Sequence, residues 1–331
     1  MKNRFYYVTT LLLLCFIYSC DYYLKQPVSD STAILLPDET ITIEPSPNDF
    51  QVTGVNCDTG FKANSSLFSD ILDDLIIPDS LAFKIDLSNN IPPVRSQGNQ
   101  GSCVSWAIGY YLKSYQEKIQ HGYEYETYEN VMSPAFIYNQ VKEEGDCLKG
   151  SSILTSLMLL QEVGITTWKD FPYSEEECDK IPDDELIEKA KQNRIGKIGS
   201  IPTNFEHQDP NYTLINILKT FLQQETPIIM ALDIKNVDIK KIEESPERES
   251  FHIATNYNFI EESCGHALLL VGYDDEIQAF KFVNSWGSDW GDEGYAWIHY
   301  NFFLHNSNTI YEKGVKELYV AYDDETETPS I

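Results

Sequence analysis

The chain has 331 residues, of which 42% are hydrophobic, so it can bury the core of one large domain or of two small ones. It carries 52 acidic and 24 basic side chains, and its formal net charge at pH 7 is −28. So acidic a surface argues against nucleic acid as a partner and against charge-driven binding to anionic lipid.

The N-terminal 19 residues have the order of an export signal. A basic stretch with Lys2 and Arg4 precedes an apolar run over 8–18, which is too short for a standard transmembrane helix. Residues 17–20, Ile-Tyr-Ser-Cys, resemble the lipobox of bacterial lipoproteins, in which the cysteine is acylated. This resemblance predicts a signal peptide over 1–19 and lipidation of Cys20. The protein would then be exported and held by lipid at the bacterial cell envelope, in the periplasm or at the cell surface. An ordinary signal peptide that is cut nearby is the alternative.

Residues 20–80 are predicted to form a tether, a lead-in or a short pro-segment. Five prolines are mixed with Ser, Thr and Asp there, and the apolar patches are short. The segment is either a spacer or a strap that runs along a cleft and blocks it. Globular patterning covers 81–323, and 324–331 are predicted to form an acidic tail.

The first half of the globular part has helical periodicity. Apolar side chains recur at helical spacing from Val104 to Ile119, and Gly122 ends the run. Further helices are predicted over 134–141, 153–163 and 212–224.

The second half is patterned as strands, over 227–234, 266–273, 279–285, 294–300 and 317–322. Helices followed by antiparallel strands predict an α+β protein with two lobes, and a cleft between lobes is the expected place for a site. Residues 235–263 contain few core-like residues and are expected to form a loop over that cleft.

Cys103 opens the first predicted helix, where the helix dipole favours a thiolate over a thiol. An isolated cysteine at such a position is more often a small buried residue. Its context differs, because residues 92–103, Pro-Pro-Val-Arg-Ser-Gln-Gly-Asn-Gln-Gly-Ser-Cys, resemble the nucleophile segment of the papain and cathepsin family of cysteine peptidases. Residues 265–273 resemble the family's histidine strand, and 284–295 resemble its asparagine segment. The three motifs occur in the family's order, and the resemblance extends over about 85–322.

The resemblance implies a papain-like two-lobed fold, with a helical lobe, an antiparallel β-barrel-like lobe and the active site in the cleft between them. It also implies four catalytic residues: Cys103 as nucleophile, His266 as general base and acid, Asn284 to orient the imidazole, and Gln97 in the oxyanion hole. Substrate binding is assigned to Gly150, the second glycine of the family's backbone clamp, and to Trp286, which covers the Asn–His pair.

The cysteines depart from the family pattern. Gln100 stands where many relatives carry a cysteine. Cys147, the usual partner of that cysteine, is therefore expected to pair with Cys178, which occupies the place of a family cysteine. Cys57 and Cys264 either pair with each other or stay unpaired, since connectivity cannot be deduced from sequence.

These motifs predict a monomeric cysteine peptidase that acts on a peptide or protein substrate through a thiol acyl-enzyme and needs no metal or organic cofactor. Endopeptidase action is expected, because the adjacent histidines that would suggest the family's carboxydipeptidase loop do not occur. Lys149 replaces the first clamp glycine and leaves subsite preference open. A catalytically silent peptide-binding protein and a thiol acyltransferase with the same triad are the alternatives.

Overall fold

In the computed structural model most helices lie in the first half of the globular part and most strands in the second, as in an α+β protein. A short strand at Lys84–Asp86 precedes all of the helices, and another at Ile195–Ser200 precedes the last α-helix. The structure describes residues 55, 71–72, 74–203, 209–243, 249–258, 265–304 and 314–323. All of them belong to one compact unit, 51–331. The predicted signal (1–19), the predicted lipid site Cys20, the acidic tail (324–331) and the cysteines Cys57 and Cys264 lie outside the described residues.

A continuous helix over 103–121, here called the central helix, begins the helical half. It consists of α1 (Cys103–Ser105), a π-helical stretch (Trp106–Lys113) and α2 (Ser114–His121). Gly122 ends it in the left-handed conformation, at φ 69°. Every residue at its first thirteen positions is buried, so this part of the helix is covered on all sides, whereas residues 119–121 at its end are exposed.

Four shorter helices follow: α3 (Pro134–Val141), α4 (Ile153–Glu162), α5 (Asp184–Ala190) and α6 (Leu214–Gln223). Each starts at a polar residue whose side chain accepts a backbone N–H of the first turn, namely Ser133, Ser152, Asp183 and Thr213. The sequence predicted α3, α4 and α6 and missed α5. Single 3-10 turns lie at Ser88–Asn90, Lys191–Asn193, Ile234–Asn236 and Tyr300–Phe303.

One sheet collects the described strands: β1 (Lys84–Asp86), β2 (Ile195–Ser200), β3 (Ile228–Leu232), β4 (Val237–Ile242), β5 (Phe251–Tyr257), β6 (His266–Asp274), β7 (Ala279–Val283), β8 (Tyr295–His299) and β9 (Val315–Asp323). The spatial order is β2-β9-β3-β6-β7-β8-β5-β4, and β1 pairs with β6. All pairs are antiparallel except β5–β8. Every residue of β3 and β6 is buried, so these strands form the middle of the core.

The expectation of a loop over 235–263 is wrong at 237–242 and 251–257, because β4 and β5 pair there as antiparallel strands. Burial is weak along β4, whose second half is exposed, so the sequence lacks the apolar signal of a core strand. The pairing is stabilised instead by the backbone ladder. A side-chain contact also holds β5 against the segment before β8. Asp292 accepts the backbone N–H of His252 at 2.7 Å and contacts its Nδ1 at 2.7 Å.

Part of the predicted lead-in packs on the globular core. Ile71 and Leu75 are 5% and 6% exposed, and the hydroxyl of Tyr212 donates to the Leu75 carbonyl at 2.8 Å. The boundary at residue 80 stays a prediction. In the described part of the chain, no helix is long and apolar enough to span a bilayer.

Candidate active site

Cys103 is the first residue of the central helix and is fully buried. Its side chain is a thiol, whose sulfur accepts a hydrogen bond from the backbone N–H of Ala267 at 3.4 Å. Ala267 follows His266 at the start of β6. The helix therefore places the sulfur against the backbone of the residue that follows the histidine. The sulfur lies at the N-terminal end of the helix, where the dipole favours an anion.

His266 is fixed by Asn284, which lies just after β7. The ring Nε2 and Asn284 Oδ1 are 2.6 Å apart, and the same Oδ1 accepts the backbone N–H of Ser285 at 2.8 Å. Because Oδ1 only accepts, Nε2 must carry the proton, and the neutral ring then has its lone pair on Nδ1. Nδ1 is buried and has no hydrogen-bond partner among the described residues. The ring therefore presents a basic nitrogen on the side opposite Asn284.

An aromatic cover excludes water from this imidazole. Trp286 stacks on His266 with ring centroids 4.5 Å apart and an interplanar angle of 27°, and Trp290 packs edge-on against Trp286 at 5.5 Å. Burial lowers the pKa of His266 to about 4, and the hydrogen bond with Asn284 acts against this shift. The imidazole is therefore neutral at pH 7 unless an anion forms beside it.

Gln97 is connected to the asparagine segment through Ser285. The Ser285 hydroxyl donates to Gln97 Oε1 at 2.5 Å, and the Gln97 N–H donates to the Ser285 carbonyl at 2.8 Å. Gln97 Nε2 donates to the Gln100 carbonyl at 2.7 Å. These bonds orient the side-chain amide of Gln97. Ser285 was part of the predicted asparagine motif, but the sequence assigned it no role.

The segment around Gly150 lies against the loop that precedes Cys103. Gly101 donates its N–H to the Cys147 carbonyl at 2.8 Å, and the Tyr138 hydroxyl donates to the same carbonyl at 2.9 Å. The Gly150 carbonyl accepts the N–H of Glu143 at 3.0 Å. The predicted disulfide between Cys147 and Cys178 is present. Gly150 therefore sits on a segment that is tied to both the nucleophile loop and residue 178.

A pocket of about 360 Å³ opens beside Trp286, the ring that stacks on His266. Five of the residues that line it are apolar and two are charged: Ile234, Lys235, Val237, Asp238, Ile239, Trp286 and Trp290. Most of these residues come from β4 and the turn before it, which the sequence had treated as loop. The pocket therefore exists because 235–242 forms ordered structure.

The other described histidines lie elsewhere. His121 contacts Glu117 on the central helix, His252 contacts Asp292, and His299 Nδ1 accepts the N–H of Asn301. His207 and His305 lie outside the described residues. Among the described residues, no group of three or more His, Cys, Asp or Glu side chains is placed to hold a metal ion.

Two tyrosines that the sequence did not single out contact the backbone of the site. The hydroxyl of Tyr111 donates to the Asn284 carbonyl at 2.8 Å, and that of Tyr173 donates to the Gln97 carbonyl at 2.7 Å. Tyr111 lies on the central helix, where helical spacing predicts a core residue. Tyr173 follows Phe171-Pro172, and nothing in that local sequence indicates a contact 76 residues away.

Comparison with known proteins gives a consistent result. The family model described as "Papain family cysteine protease" matches residues 77–315. P34 probable thiol protease of Glycine max is 30% identical over 155 residues, which are 43% of this chain and 34% of that protein. Cathepsin K of Mus musculus is 24% identical over 234 residues, which are 68% of this chain and 60% of that protein. The chain thus spans less than two thirds of the length of either relative.

Solved structures show the same fold. Xylellain, a cysteine protease from Xylella fastidiosa, superposes with a TM-score of 0.57 at 23% identity and covers 82% of this chain and 96% of its own. The ragweed pollen allergen Amb a 11, a cysteine protease in its proform, gives a TM-score of 0.52 at 15% identity, over 78% of this chain and 70% of its own. At these identities the likeness concerns the fold alone, and it confirms the predicted α+β class.

Proposed function

The chain belongs to the papain family of cysteine proteases, and from this premise we propose that it cleaves internal peptide bonds through a thioester on Cys103. One observation carries the proposal. A thiol at the start of a buried helix contacts the N–H next to His266, and Asn284 holds that ring in the tautomer whose lone pair is on Nδ1.

In the first half of the reaction, Nδ1 of His266 accepts the thiol proton of Cys103. The thiolate then attacks the carbonyl carbon of the scissile bond, and the carbonyl oxygen becomes an oxyanion. Collapse of this intermediate breaks the C–N bond, and the proton on Nδ1 goes to the departing amine. Burial lowers the pKa of the His266 imidazole, and the thiolate beside the ring raises it again, because an adjacent anion favours the charged imidazole.

In the second half, His266 removes a proton from water, and the hydroxide oxygen attacks the thioester carbonyl. The C–S bond breaks, the carboxylic product leaves, and the proton on Nδ1 returns to the sulfur. Asn284 keeps Nε2–H engaged throughout, so proton transfer stays on Nδ1. Trp286 keeps bulk water from the Asn–His hydrogen bond.

The oxyanion is stabilised by the side-chain amide of Gln97 and the backbone N–H of Cys103. Ser285 and Gln100 orient that amide, through its oxygen and through an N–H, toward its proposed role as donor to the substrate oxygen. Loss of one such donor lowers kcat by about 10²–10³.

The acyl part of the substrate is proposed to run along Gly150, and the pocket beside Trp286 to face the leaving part. The sequence contains no adjacent histidine pair of the kind that would bind a terminal carboxylate, in keeping with endopeptidase action. The proposed substrate is therefore an extended segment of a peptide or protein, cut by a monomer.

The experiment that tests this function is labelling of the chain lacking residues 1–20 with a peptidyl epoxide, followed by mass location of the adduct. We expect one adduct, on Cys103, and none in Cys103→Ala. His266→Ala is expected to slow labelling by about 10²–10⁴-fold, the usual contribution of a general base. His121→Ala, a histidine on the far end of the central helix, is the matched control and keeps the wild-type rate.

The same preparations are then offered a peptide with and without an amine acceptor. Hydrolysis in water alone supports the peptidase, and product that appears only with the amine identifies an acyltransferase. A folded protein that binds peptides and forms no adduct with the epoxide overturns the proposal in favour of a silent binding protein.

We also propose that the lead-in covers the cleft before activation. Val55 is 5% exposed and forms a parallel bridge with Ser151, the residue after Gly150, while Cys103 is fully buried. Val55→Asp should therefore speed labelling of Cys103. Ile76→Asp, at a lead-in residue that is 78% exposed, is the control and leaves the rate unchanged. Equal rates in wild type and Val55→Asp contradict this cover.

At the envelope, Cys20 is the proposed acylation site, and the protein is anchored through lipid alone. Incorporation of labelled palmitate into the full chain, and its loss in Cys20→Ala, is the expected result. Retention of label in that variant contradicts the anchor.

A further inference from the structure

The hydroxyl of Tyr173 connects two residues that flank the proposed oxyanion hole. It donates to the Gln97 carbonyl at 2.7 Å and lies 2.8 Å from the Ser102 hydroxyl. Since the phenol has one proton and gives it to the carbonyl, Ser102 must donate to Tyr173. Gln97 and Ser102 are both fully buried, so water cannot replace this hydroxyl without rearrangement of the loop.

Ser102 is used differently from the other serines that start helices. Ser133 and Ser152 accept an N–H of their own first turn, which is the usual role of a serine at this position. Ser102 precedes Cys103 directly, and its side chain makes no such cap. Its hydroxyl contacts Tyr173 instead, so the side chain does not cover the N–H groups at the start of the central helix.

The ring of Tyr173 is held in place on two sides. Trp106, on the central helix, meets it edge-on at 5.0 Å, and Trp168 packs against it at 5.7 Å. Burial raises the pKa of the Tyr173 phenol well above its ordinary value, so the proton that it donates to Gln97 is retained.

The residues after Tyr173 bind the same loop. Gln100 donates its side-chain N–H to the Ser174 carbonyl at 3.1 Å, and Asn99 donates its backbone N–H to the Glu175 carboxylate at 2.5 Å. The segment ends at Cys178, in the disulfide with Cys147. Tyr173 thus belongs to a segment that is fixed by several contacts. Its hydroxyl reaches Gln97 on one side of the proposed oxyanion hole and Ser102 on the other.

We infer that Tyr173 is a positioning residue, which sets the distance between the Gln97 amide and the Cys103 N–H so that both reach one substrate oxygen. The inference rests on the proposed function. Donors in an oxyanion hole act within a narrow range of distance, about 2.7–3.1 Å from the developing charge. A small shift of the loop therefore weakens stabilisation of the transition state more than it weakens substrate binding.

The test compares Tyr173→Phe with Tyr125→Phe in the full chain lacking the signal. Tyr125 is a matched control, because its hydroxyl also contacts two groups, the carbonyls of Asn90 and Ser114, away from the site. We expect Tyr173→Phe to lower kcat on a fluorogenic peptide about 10-fold, less than direct loss of a donor. KM should stay within about twofold, and so should the rate of alkylation of Cys103 by iodoacetamide, which forms no oxyanion.

Ser102→Ala removes the other end of the link and is expected to lower kcat in the same way, with the melting temperature measured for every variant. Binding of a peptide aldehyde, whose hemithioacetal places an oxygen in the hole, should weaken about 10-fold in both site variants. Unchanged kcat and aldehyde affinity in Tyr173→Phe overturn the inference, as does an equal loss in Tyr125→Phe. A wild-type protein that binds the aldehyde but hydrolyses no peptide defeats only the proposed hydrolysis, and one that does neither defeats both.

Discussion

The base and the nucleophile are held by two regions of different construction. His266 lies on β6, where the Leu232–His266 pair begins the antiparallel ladder with β3. The loop over 96–102, which leads to Cys103, contains no strand or helix. Side chains and backbone groups from 147–150 and 173–178 hold that loop.

The difference shows where single substitutions act. A ladder uses backbone groups, so a change of one side chain leaves most of its hydrogen bonds intact. A loop held by distant side chains depends on each of them. Each substitution that removes a contact of the loop over 96–102 should therefore lower activity or stability by itself. Single substitutions around β6 should leave the position of His266 unchanged.

Removal of the disulfide is expected to have the largest effect on the loop side. Cys147 and Cys178 are 31 residues apart, and closure of such a loop stabilises a fold by about 3–4 kcal/mol on the chain-entropy model. Cys147→Ala/Cys178→Ala should lower the free energy of unfolding in urea by that amount. A dithiothreitol series on the wild type gives the control, and a loss below about 1 kcal/mol would show that the loop is held without the bond.

Titration of His266 tests the sheet side, in a Cys103→Ala background where no thiolate can form. The folded pKa is about 4, below the ordinary value of 6.5. The unfolded chain therefore binds the proton first, and stability that is complete above pH 6.5 is lost as the pH falls toward 4. The loss amounts to about 3 kcal/mol.

The measurement is urea unfolding from pH 7.5 to 4, compared with Cys103→Ala/His266→Asn. The difference in stability between the two variants should shrink with falling pH. A constant difference means that the ring is not buried as a neutral group. Chemical shifts of the imidazole in wild type then report how far the thiol raises its pKa.

Substitution of Gly101 tests how closely the loop over 96–102 approaches the backbone of Leu148 and Lys149. A Cβ at this position would lie 2.4 Å from the Lys149 carbonyl oxygen and 2.6 Å from that of Leu148, and backbone atoms cannot move aside cheaply. Gly101→Ala should cost about 2–3 kcal/mol of stability. Gly122→Ala is the control, because a Cβ there meets nothing within 4 Å and costs only the left-handed conformation, about 1 kcal/mol. Equal melting temperatures would contradict this contact.

Ser285→Ala removes a contact between the two regions and should have the smallest effect. Its hydroxyl orients Gln97, and loss of one buried hydrogen bond costs about 1–1.5 kcal/mol, or about 10-fold in kcat. Ser156→Ala deletes a comparable hydroxyl on α4 and serves as control. A pH–rate profile that shifts in Ser285→Ala, instead of dropping uniformly, would mean that Ser285 acts on His266 through Asn284.

Prediction from sequence succeeded where periodicity and caps agree. The central helix, α3, α4 and α6 were expected within one or two residues at most ends, as were β3, β6, β7, β8 and β9. The sequence missed α5, β1, β2, β4 and β5. Of these, β2 contains two glycines and β4 is half exposed, so neither has the apolar pattern that marks a strand.

For the candidate site, motif resemblance named Cys103, His266, Asn284 and Gln97, and the structure brings the elements that carry them together. Resemblance also named the Cys147–Cys178 pair, which the structure contains. It did not indicate Tyr173 or the roles of Ser285 and β4, because these depend on contacts between segments far apart in the chain.

The sequence by itself determined the α+β class, the family and the residue types that the chemistry needs, since these follow from local periodicity and from contiguous motifs. Only the tertiary structure decided which nitrogen of His266 is basic, which side chains position Gln97, and where a pocket forms. Those properties depend on distances of a few ångströms between residues up to about 190 positions apart, such as Gln97 and Ser285 at a separation of 188. No local pattern records such a distance, because packing of the whole core determines it.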